Sequence, residues 1–290
     1  PDLFPIRVAE SREEKWVLLV SMQQQGPTGG TGTSYFVGDF DGTEFMADSA
    51  GQQWLDKGAD NYAFVTFDNV PLPRHQRLGI GWMSNWQYAQ QVPTSPWRSA
   101  MTVPRLLELH HKDGQYSLQA TPVPALESLR DSGVDLPLTI TNELDLSDQI
   151  NPALGELDFQ IDLQATTAKA FGVTLSNSMG EWVSITVDTT DKTVAIDRTH
   201  SGPKGFSEAF FEGPHRTALP TAGSVLDLRL LLDRASLELF SGNGTLNMTE
   251  VFFPQMAYSN ITLWAHDGQL VLTGGKGFNL SSTWKTLPSQ

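Results

Sequence analysis

Two carboxylates and a cluster of aromatic rings are the groups in this chain whose types and spacing suit chemistry. Asp56 and Asp60 lie in WLDKGADNYAFVTF, between Trp54 and Tyr62 and just before a run of strand-forming residues. Downstream, Trp82, Trp86 and Trp97 are interleaved with Asn85, Gln87, Tyr88 and Arg98. A flat polar ligand fits that inventory. The C–H faces of a sugar pack on aromatic rings, and its hydroxyls take amide and carboxylate partners. Each group also has a plain structural use, since tryptophan buries well and aspartate serves turns. From the residues alone, core packing and a sugar platform both stay open for the tryptophans, and turn chemistry explains either aspartate.

Other chemical signatures are weak or missing. The Gly-rich segment 26–34 lacks G-x-x-x-x-G-K-[ST] and precedes a strand rather than a helix, so it reads as a loop. His110 and His111 are adjacent and point to opposite faces of a strand, which disfavours a shared metal. His75, His200, His215 and His266 are isolated and read as structural or surface residues. No G-x-S-x-G elbow occurs. Asp39 and Asp41 flank the turn in GDFDG, and Asp197-Arg198 and Asp233-Arg234 read as local pairs or turn caps at strand ends. With no cysteine, the chain holds no disulfide, thiol nucleophile or zinc–thiolate site. No cofactor and no metal is expected.

The chain has 290 residues, 39% hydrophobic and 18% charged, which suits one large or two medium globular domains. Its formal net charge of -14 argues against nucleic acid and anionic membrane surfaces, both of which recruit Lys and Arg. No apolar run approaches the roughly 18 residues of a membrane span. Sequons at Asn243, Asn247, Asn260 and Asn279 cluster near the C-terminal end and point to a secreted, glycosylated product. No secretory leader is visible, and residue 1 need not be the start of the gene product.

The elements that must position these groups are short strands. Trp16–Met22, Tyr35–Phe40, Ala63–Phe67 and Leu78–Trp82 are bounded by Gly, Pro, Asn or Asp, as in the antiparallel sheets of a propeller or sandwich. Pro122, Pro124 and LESLRDSG break the pattern and could hold a short helix. From Leu138 onward, segments such as LDFQIDLQA, WVSITVD, VLDLRLLLDR and ITLWAHD alternate with period two, the mark of sheets with one face in a core. Ser241-Gly242-Asn243-Gly244 and Asp267-Gly268 fit hairpin turns. The division expected is an all-β part over 1–120, a linker over 121–137 and a β-sandwich over 138–290.

Several long segments, in order, resemble glycoside hydrolase family 32, the β-fructosidases (invertases, inulinases, levanases). They are GTGTSYFVGDFDGTEF, WLDKGADNYAFVTFDN, IGWMSNWQYA, PTSPWRSAMTVPRLLEL, DRTHSG and LRLLLDRASLELFSGNGTLNMTEVFFP. Pro1-Asp2-Leu3-Phe4-Pro5 is similar to the stretch that follows the family's Glu-Cys acid/base motif. The resemblance covers nearly the whole chain and implies an all-β fold: the last blade or two of a five-bladed propeller, then a C-terminal β-sandwich. It also implies three motifs that are absent here: the nucleophile's W-M-N-D-P-N, the stabiliser's R-D-P, and Glu-Cys itself.

No catalytic carboxylate is therefore assigned on this chain. The resemblance implies a retaining β-fructosidase acting on sucrose, inulin or levan, whose nucleophile and acid/base lie on an N-terminal portion. An open piece of propeller would leave strand edges and an apolar face bare, so that portion is the expected partner. A non-catalytic carbohydrate-binding or assembly module and a fructosyltransferase are the rival readings. By resemblance Trp82 and Asn85 line the fructose pocket, while Asp56, Asp60 and Tyr62, in W-x-D-x-G-x-D-x-Y, sit at its mouth. Trp97 is expected behind the wall. Asn61 and Lys57 stand where the family often has aromatic residues, which leaves the outer subsites undefined. The sandwich is also a candidate surface for a homo-oligomer.

Overall fold

Period-two alternation decides most of this fold, because each strand that presents one apolar row must lay it against another sheet. The computed structural model describes residues 1–220 and 223–283, and its regular structure is strands joined by a few 3-10 turns. The first sheet contains β1 (Asp2–Arg7), β2 (Glu14–Met22), β3 (Gly32–Phe40), β4 (Phe45–Ala47) and β5 (Gln53–Trp54). Its order is β1-β2-β3-β4, with β5 also on β3. The second holds β6 (Tyr62–Thr66), β7 (Gln76–Met83), β8 (Ala100–Met101), β9 (Arg105–Lys112) and β10 (Gln115–Pro122). Its order is β10-β9-β7-β6, with β8 on β7.

These two sheets share a core. Phe4, Ile6, Val17, Leu19, Tyr35 and Val37 from the first meet Phe64, Leu107, Leu109 and Leu118 from the second. The outward faces are apolar as well. On the first sheet Leu3, Leu18 and Phe36 stand in one cross-strand row and Pro5 faces Trp16, all partly exposed. On the second, Leu78 and Ile80 are partly exposed beside Val65 and Phe67, which are 51% and 44% exposed.

A 3-10 helix at Pro124–Leu129 leads into β11 (Arg130–Asp135). Then come β12 (Thr139–Asp145), β13 (Leu154–Asp162), β14 (Ala170–Ser176), β15 (Trp182–Asp188) and β16 (Thr193–His200). They are followed by β17 (His215–Ala218), β18 (Val225–Asp233), β19 (Ser236–Ser241), β20 (Leu246–Val251) and β21 (Asn260–Leu280). These strands form one 11-stranded sheet folded into two layers. One layer runs β17-β16-β15-β14-β21 with β12 beyond; the other runs β21-β13-β18-β19-β20 with β11 also on β21. Phe159, Phe171, Ile185, Leu230 and Leu263 belong to the core between them. Ser241–Gly244 closes the β19–β20 hairpin. Asp267-Gly268 does not close one. Instead β21 continues through it as a bulge, pairing with β14 on one side and β13 on the other, so a single strand serves both layers.

β20 ends its layer, and its free edge is occupied by the loop between β5 and β6. Lys57 N–H donates to the Asn247 carbonyl at 2.7 Å and Asp60 N–H to the Thr249 carbonyl at 3.0 Å. Gly58 sits where the two backbones meet: a Cβ there would come within 2.4 Å of both Thr249 N and Thr249 O. Gly58→Ala is expected to destabilise the chain by about 1–3 kcal/mol through this overlap. A lowered urea midpoint at constant slope would show it; an unchanged midpoint would mean the loop is not held against β20.

Candidate functional site

The aromatic rim of the second sheet depends on a break in strand register. Tyr62 pairs with Trp82, yet Val65 pairs with Ile80, so β6 carries one extra residue against β7. Ala63 takes up the bulge with φ of 52°. Without it, Tyr62 would share the face of Phe64, which is buried in the core. With it, Tyr62 turns outward and meets Trp82 edge-on at 6.1 Å. Trp86 lies against the same indole at 4.9 Å and 44°, and is 51% exposed. The three rings form a continuous, partly open aromatic surface.

Asn85 frames that surface from behind. Its Nδ2 donates to the Ala59 carbonyl at 3.0 Å and the Gly29 carbonyl at 3.4 Å, and its Oδ1 accepts from Thr31 N at 3.2 Å and Gln87 N at 3.1 Å. Four backbone groups thus converge on one buried side chain, which is 1% exposed. The Gly-rich loop is held there because Gly30 has φ of 68° and a Cβ on it would lie 2.3 Å from Asn85 Oδ1. Trp86 N–H in turn donates to Thr31 Oγ1 at 3.3 Å.

Asp56 and Asp60 are placed differently. They point into the seam with the 11-stranded sheet, where two arginines each hold two carboxylates. Arg105 bonds Asp56 Oδ2 at 2.9 Å and Glu238 Oε2 at 2.7 Å. Asp56 also accepts from Thr249 N, Thr249 Oγ1, Gly58 N and Asn61 Nδ2. Arg198 bonds Asp60 Oδ2 at 2.5 Å, and Asp60 accepts further from Tyr88 OH at 2.7 Å and Val251 N at 2.9 Å. Glu250 Oε2 lies 3.1 Å from Arg198 Nη1 but without hydrogen-bond geometry, while its Oε1 meets His215 Nδ1 at 2.7 Å and accepts from Ala59 N. Asp56 and Asp60 are 4% and 0% exposed. Their oxygens are taken by protein donors, so the two carboxylates act here as anchors for the loop that carries Tyr62.

Charge balance explains how these groups titrate. Each arginine faces two carboxylates in a dry site, so the site favours only one full negative charge beside it. Burial pushes Asp56 up, but Arg105 and the bonds from Thr249 outweigh it and hold the carboxyl below the usual range. Burial likewise pushes Glu238 up, and there Arg105 does not offset it. Asp60 is raised by burial against the pull of Arg198, with the Glu250 charge adding to the rise. Arg198 is lowered by burial and raised further by Tyr88, Asp60 and Glu250, so it stays charged.

Several expectations change. Trp97 does not pack behind the wall; it is 51% exposed, because Thr94 Oγ1 and Arg98 tie its turn back on itself rather than into the core. Asp197 caps the turn at Thr199, but Arg198 makes no local pair and reaches Asp60 instead. Nothing near Arg198 in sequence marks that partner. Asn247 is 2% exposed, its amide donating to the Leu55 and Gly244 carbonyls, so a glycan there is incompatible with the seam. Asn243 and Asn260 are exposed, and the Asn279 amide donates to Gln149 O and Ser132 Oγ. Among the described residues no three His, Asp or Glu side chains converge as a metal site.

Removing one arginine would leave two carboxylates buried together. Arg198→Met is expected to cost about 3–5 kcal/mol at neutral pH, and the deficit should shrink on acidification as Asp60, already raised by burial, takes up a proton. Asp56, lowered in the folded chain, stabilises it above the unfolded value of about 3.9 and loses that contribution as pH falls further. The deficit of Asp56→Asn should therefore be present at pH 7 and close below about pH 4. Urea titrations across pH would check both, and deficits that do not vary with pH would contradict the seam electrostatics.

The chain is similar along its length to known proteins. Residues 1–122 match the description "Glycosyl hydrolases family 32 N-terminal domain" and residues 125–280 match "Glycosyl hydrolases family 32 C terminal". A levanase from Bacillus subtilis is 33% identical over 294 residues, covering 99% of this chain and 43% of its own length. An extracellular exo-inulinase from Aspergillus awamori is 31% identical over 299 residues, covering 98% of this chain and 55% of its own. The crystal structure of exo-inulinase from the same organism superposes with a TM-score of 0.87 at 28% identity, over 98% of this chain and 57% of that one. A beta-fructofuranosidase from Schwanniomyces occidentalis, complexed with fructosyl-erythritol, gives 0.82 at 26% identity, over 97% and 59%. The chain spans about half the length of the curated relatives it matches. With the two domain descriptions together spanning nearly all of it, the chain belongs to glycosyl hydrolase family 32.

Proposed function

We propose that this chain is the C-terminal portion of a secreted, retaining β-fructosidase acting on sucrose, inulin or levan. In this reading the first two sheets are the last two blades of a five-bladed propeller over residues 1–120. Residues 121–137 lead into the β-sandwich of 138–290, to which β11 within that connection already adds a strand. The observation that carries the proposal is the pair of apolar outer faces. Leu3, Trp16, Leu18 and Phe36 on one sheet and Val65, Phe67, Leu78 and Ile80 on the other stay partly or largely bare. Two stacked sheets with apolar rows on both outsides need cover on both, and an N-terminal portion that closes a ring supplies it with one polypeptide.

The same portion would bring the chemistry. Retention needs a nucleophilic carboxylate and an acid/base carboxyl about 5–5.5 Å apart, and the aspartates beside the rim are engaged in the seam. The contribution of this chain is the wall. Trp82 and Tyr62 present ring faces to the C–H side of a fructosyl unit, and Trp86 extends the platform outward. Asn85, with all its hydrogen-bonding groups in use, positions the loops rather than holding sugar hydroxyls. Secretion agrees with relatives named extracellular and with the exposed sequons at Asn243 and Asn260.

The test is reconstitution. The chain alone is expected to be inert on sucrose, inulin and levan, and co-expression with the preceding N-terminal portion should restore fructose release. Leu18→Lys should prevent that assembly. Trp82→Ala should assemble but lower kcat/KM by about tenfold or more, through lost stacking and a misplaced substrate. Hydrolysis by the chain alone would overturn the proposal, and full activity in Trp82→Ala would remove the wall from this face.

A further inference from the structure

The layer that contains β12, β14, β15 and β16 turns one face to the core and the other to solvent, and the solvent face carries two tryptophans. Trp264 on β21 lies opposite Gly172 on β14, and Trp182 on β15 lies opposite Ser176 of the same strand. Neither indole is part of the apolar core between the layers, and both are partly exposed. Each is paired with an imidazole: Trp182 with His200 at 4.7 Å and 12°, and Trp264 with His266 at 4.5 Å and 33°.

Trp264 is fixed in place. Its Nε1 donates to Thr174 Oγ1 at 3.0 Å, and a Cβ on Gly172 would lie 2.7 Å from its ring, so the indole lies across the glycine. Covering a strand glycine is a structural use for such a ring. That use does not extend to Trp182, which has no glycine opposite it. Between the two rings the face is a carpet of small hydroxyls: Thr174 and Ser176 on β14, Ser184 and Thr186 on β15, and Thr262 on β21. Along the edge of Trp264, Glu143 on β12 stands directly opposite it and is exposed.

Strand geometry gives the spacing. Four residues along β14 and two strand-to-strand steps separate the tryptophans by about 16 Å, the reach of several linked sugar rings. Among the described residues, the carboxylates of Glu143, Asp145, Asp188 and Asp197 share this face with the cation Arg216 at its far edge. An acidic rim on a chain of net charge -14 repels nucleic acid and anionic lipid, whereas a neutral polyol uses carboxylates and hydroxyls as partners.

We propose that this face is a second sugar-binding surface, on which a neutral saccharide chain runs from Trp264 to Trp182 over the Ser/Thr carpet. It holds polymer rather than reacting with it. The surface stands independently of the pocket assigned to Trp82, since it is built wholly from the C-terminal layers.

Electrophoresis of the whole 290-residue chain through gels containing inulin, levan or hydroxyethylcellulose tests it. At least one polymer should retard the protein. Retardation by the fructans would identify polymeric fructoside as the occupant, and retardation by the glucan alone would identify a structural polysaccharide. Joint replacement Trp182→Ala and Trp264→Ala should weaken retention by about tenfold or more. Ser184→Arg, which touches neither ring but raises a bulky side chain between them, should do the same with the melting temperature unchanged. Trp82→Ala should leave retention intact, and the reconstituted enzyme carrying Ser184→Arg should turn over sucrose as before. Absence of retardation in all three gels would overturn the proposal. So would normal retention in both the double variant and Ser184→Arg, or loss of retention in Trp82→Ala alone.

Discussion

Two buried arginines hold this molecule together, each shared between sheets that are far apart in sequence. Arg105 joins Asp56 to Glu238, and Arg198 joins Asp60 to Glu250. Such clusters are poor sources of net stability, because removing charge from water costs about as much as pairing it returns. Their value is directional. A guanidinium accepts only a narrow set of approach angles, so two of them fix both the distance and the rotation between neighbouring sheets. Everything at the rim inherits that alignment, since Asp56 and Asp60 bracket the loop that ends at Tyr62.

The seam also solves an edge problem. β20 would otherwise present open backbone groups at the end of its layer, and the loop around Gly58 covers them by adding its own N–H groups to the ladder. One loop therefore closes a sheet edge, supplies two anchoring carboxylates and launches the strand that carries the rim. This concentration of duties accounts for the W-x-D-x-G-x-D-x-Y spacing better than a direct role in chemistry. The Asp residues lie on the seam side, the glycine admits the other backbone, and Tyr62 remains outside.

Local pattern made much of this legible in the sequence. WVSITVD is β15 residue for residue, and the alternation in VLDLRLLLDR gives the correct buried row of β18. Such signals work because a strand's faces are set by its own parity. Long-range partners were not legible. Arg198 follows an aspartate at a strand end and reads as a local pair, but its carboxylate lies 138 positions away. Asp267-Gly268 has hairpin chemistry, yet tertiary pairing on both sides of β21 carries the strand straight through. Trp97 reads as packing material, but a tight turn closed on itself keeps it in solvent. At Arg198 and Asp267-Gly268 local preference was sound and a contact from elsewhere overrode it; at Trp97 the local turn itself decided.

The bulge at Ala63 shows how little separates core from surface in such a sheet. Because strand faces alternate by single residues, one extra residue works on side chains as a frameshift works on codons: everything on its far side is read in the other sense. Tyr62 belongs to the rim only through that count. A deletion at this point would leave composition and hydrophobicity almost unchanged and still turn the ring from the open side to the closed one. The number of residues between Asp60 and the buried Phe64 thus acts as a switch for the shape of the rim, one that residue types alone would not reveal.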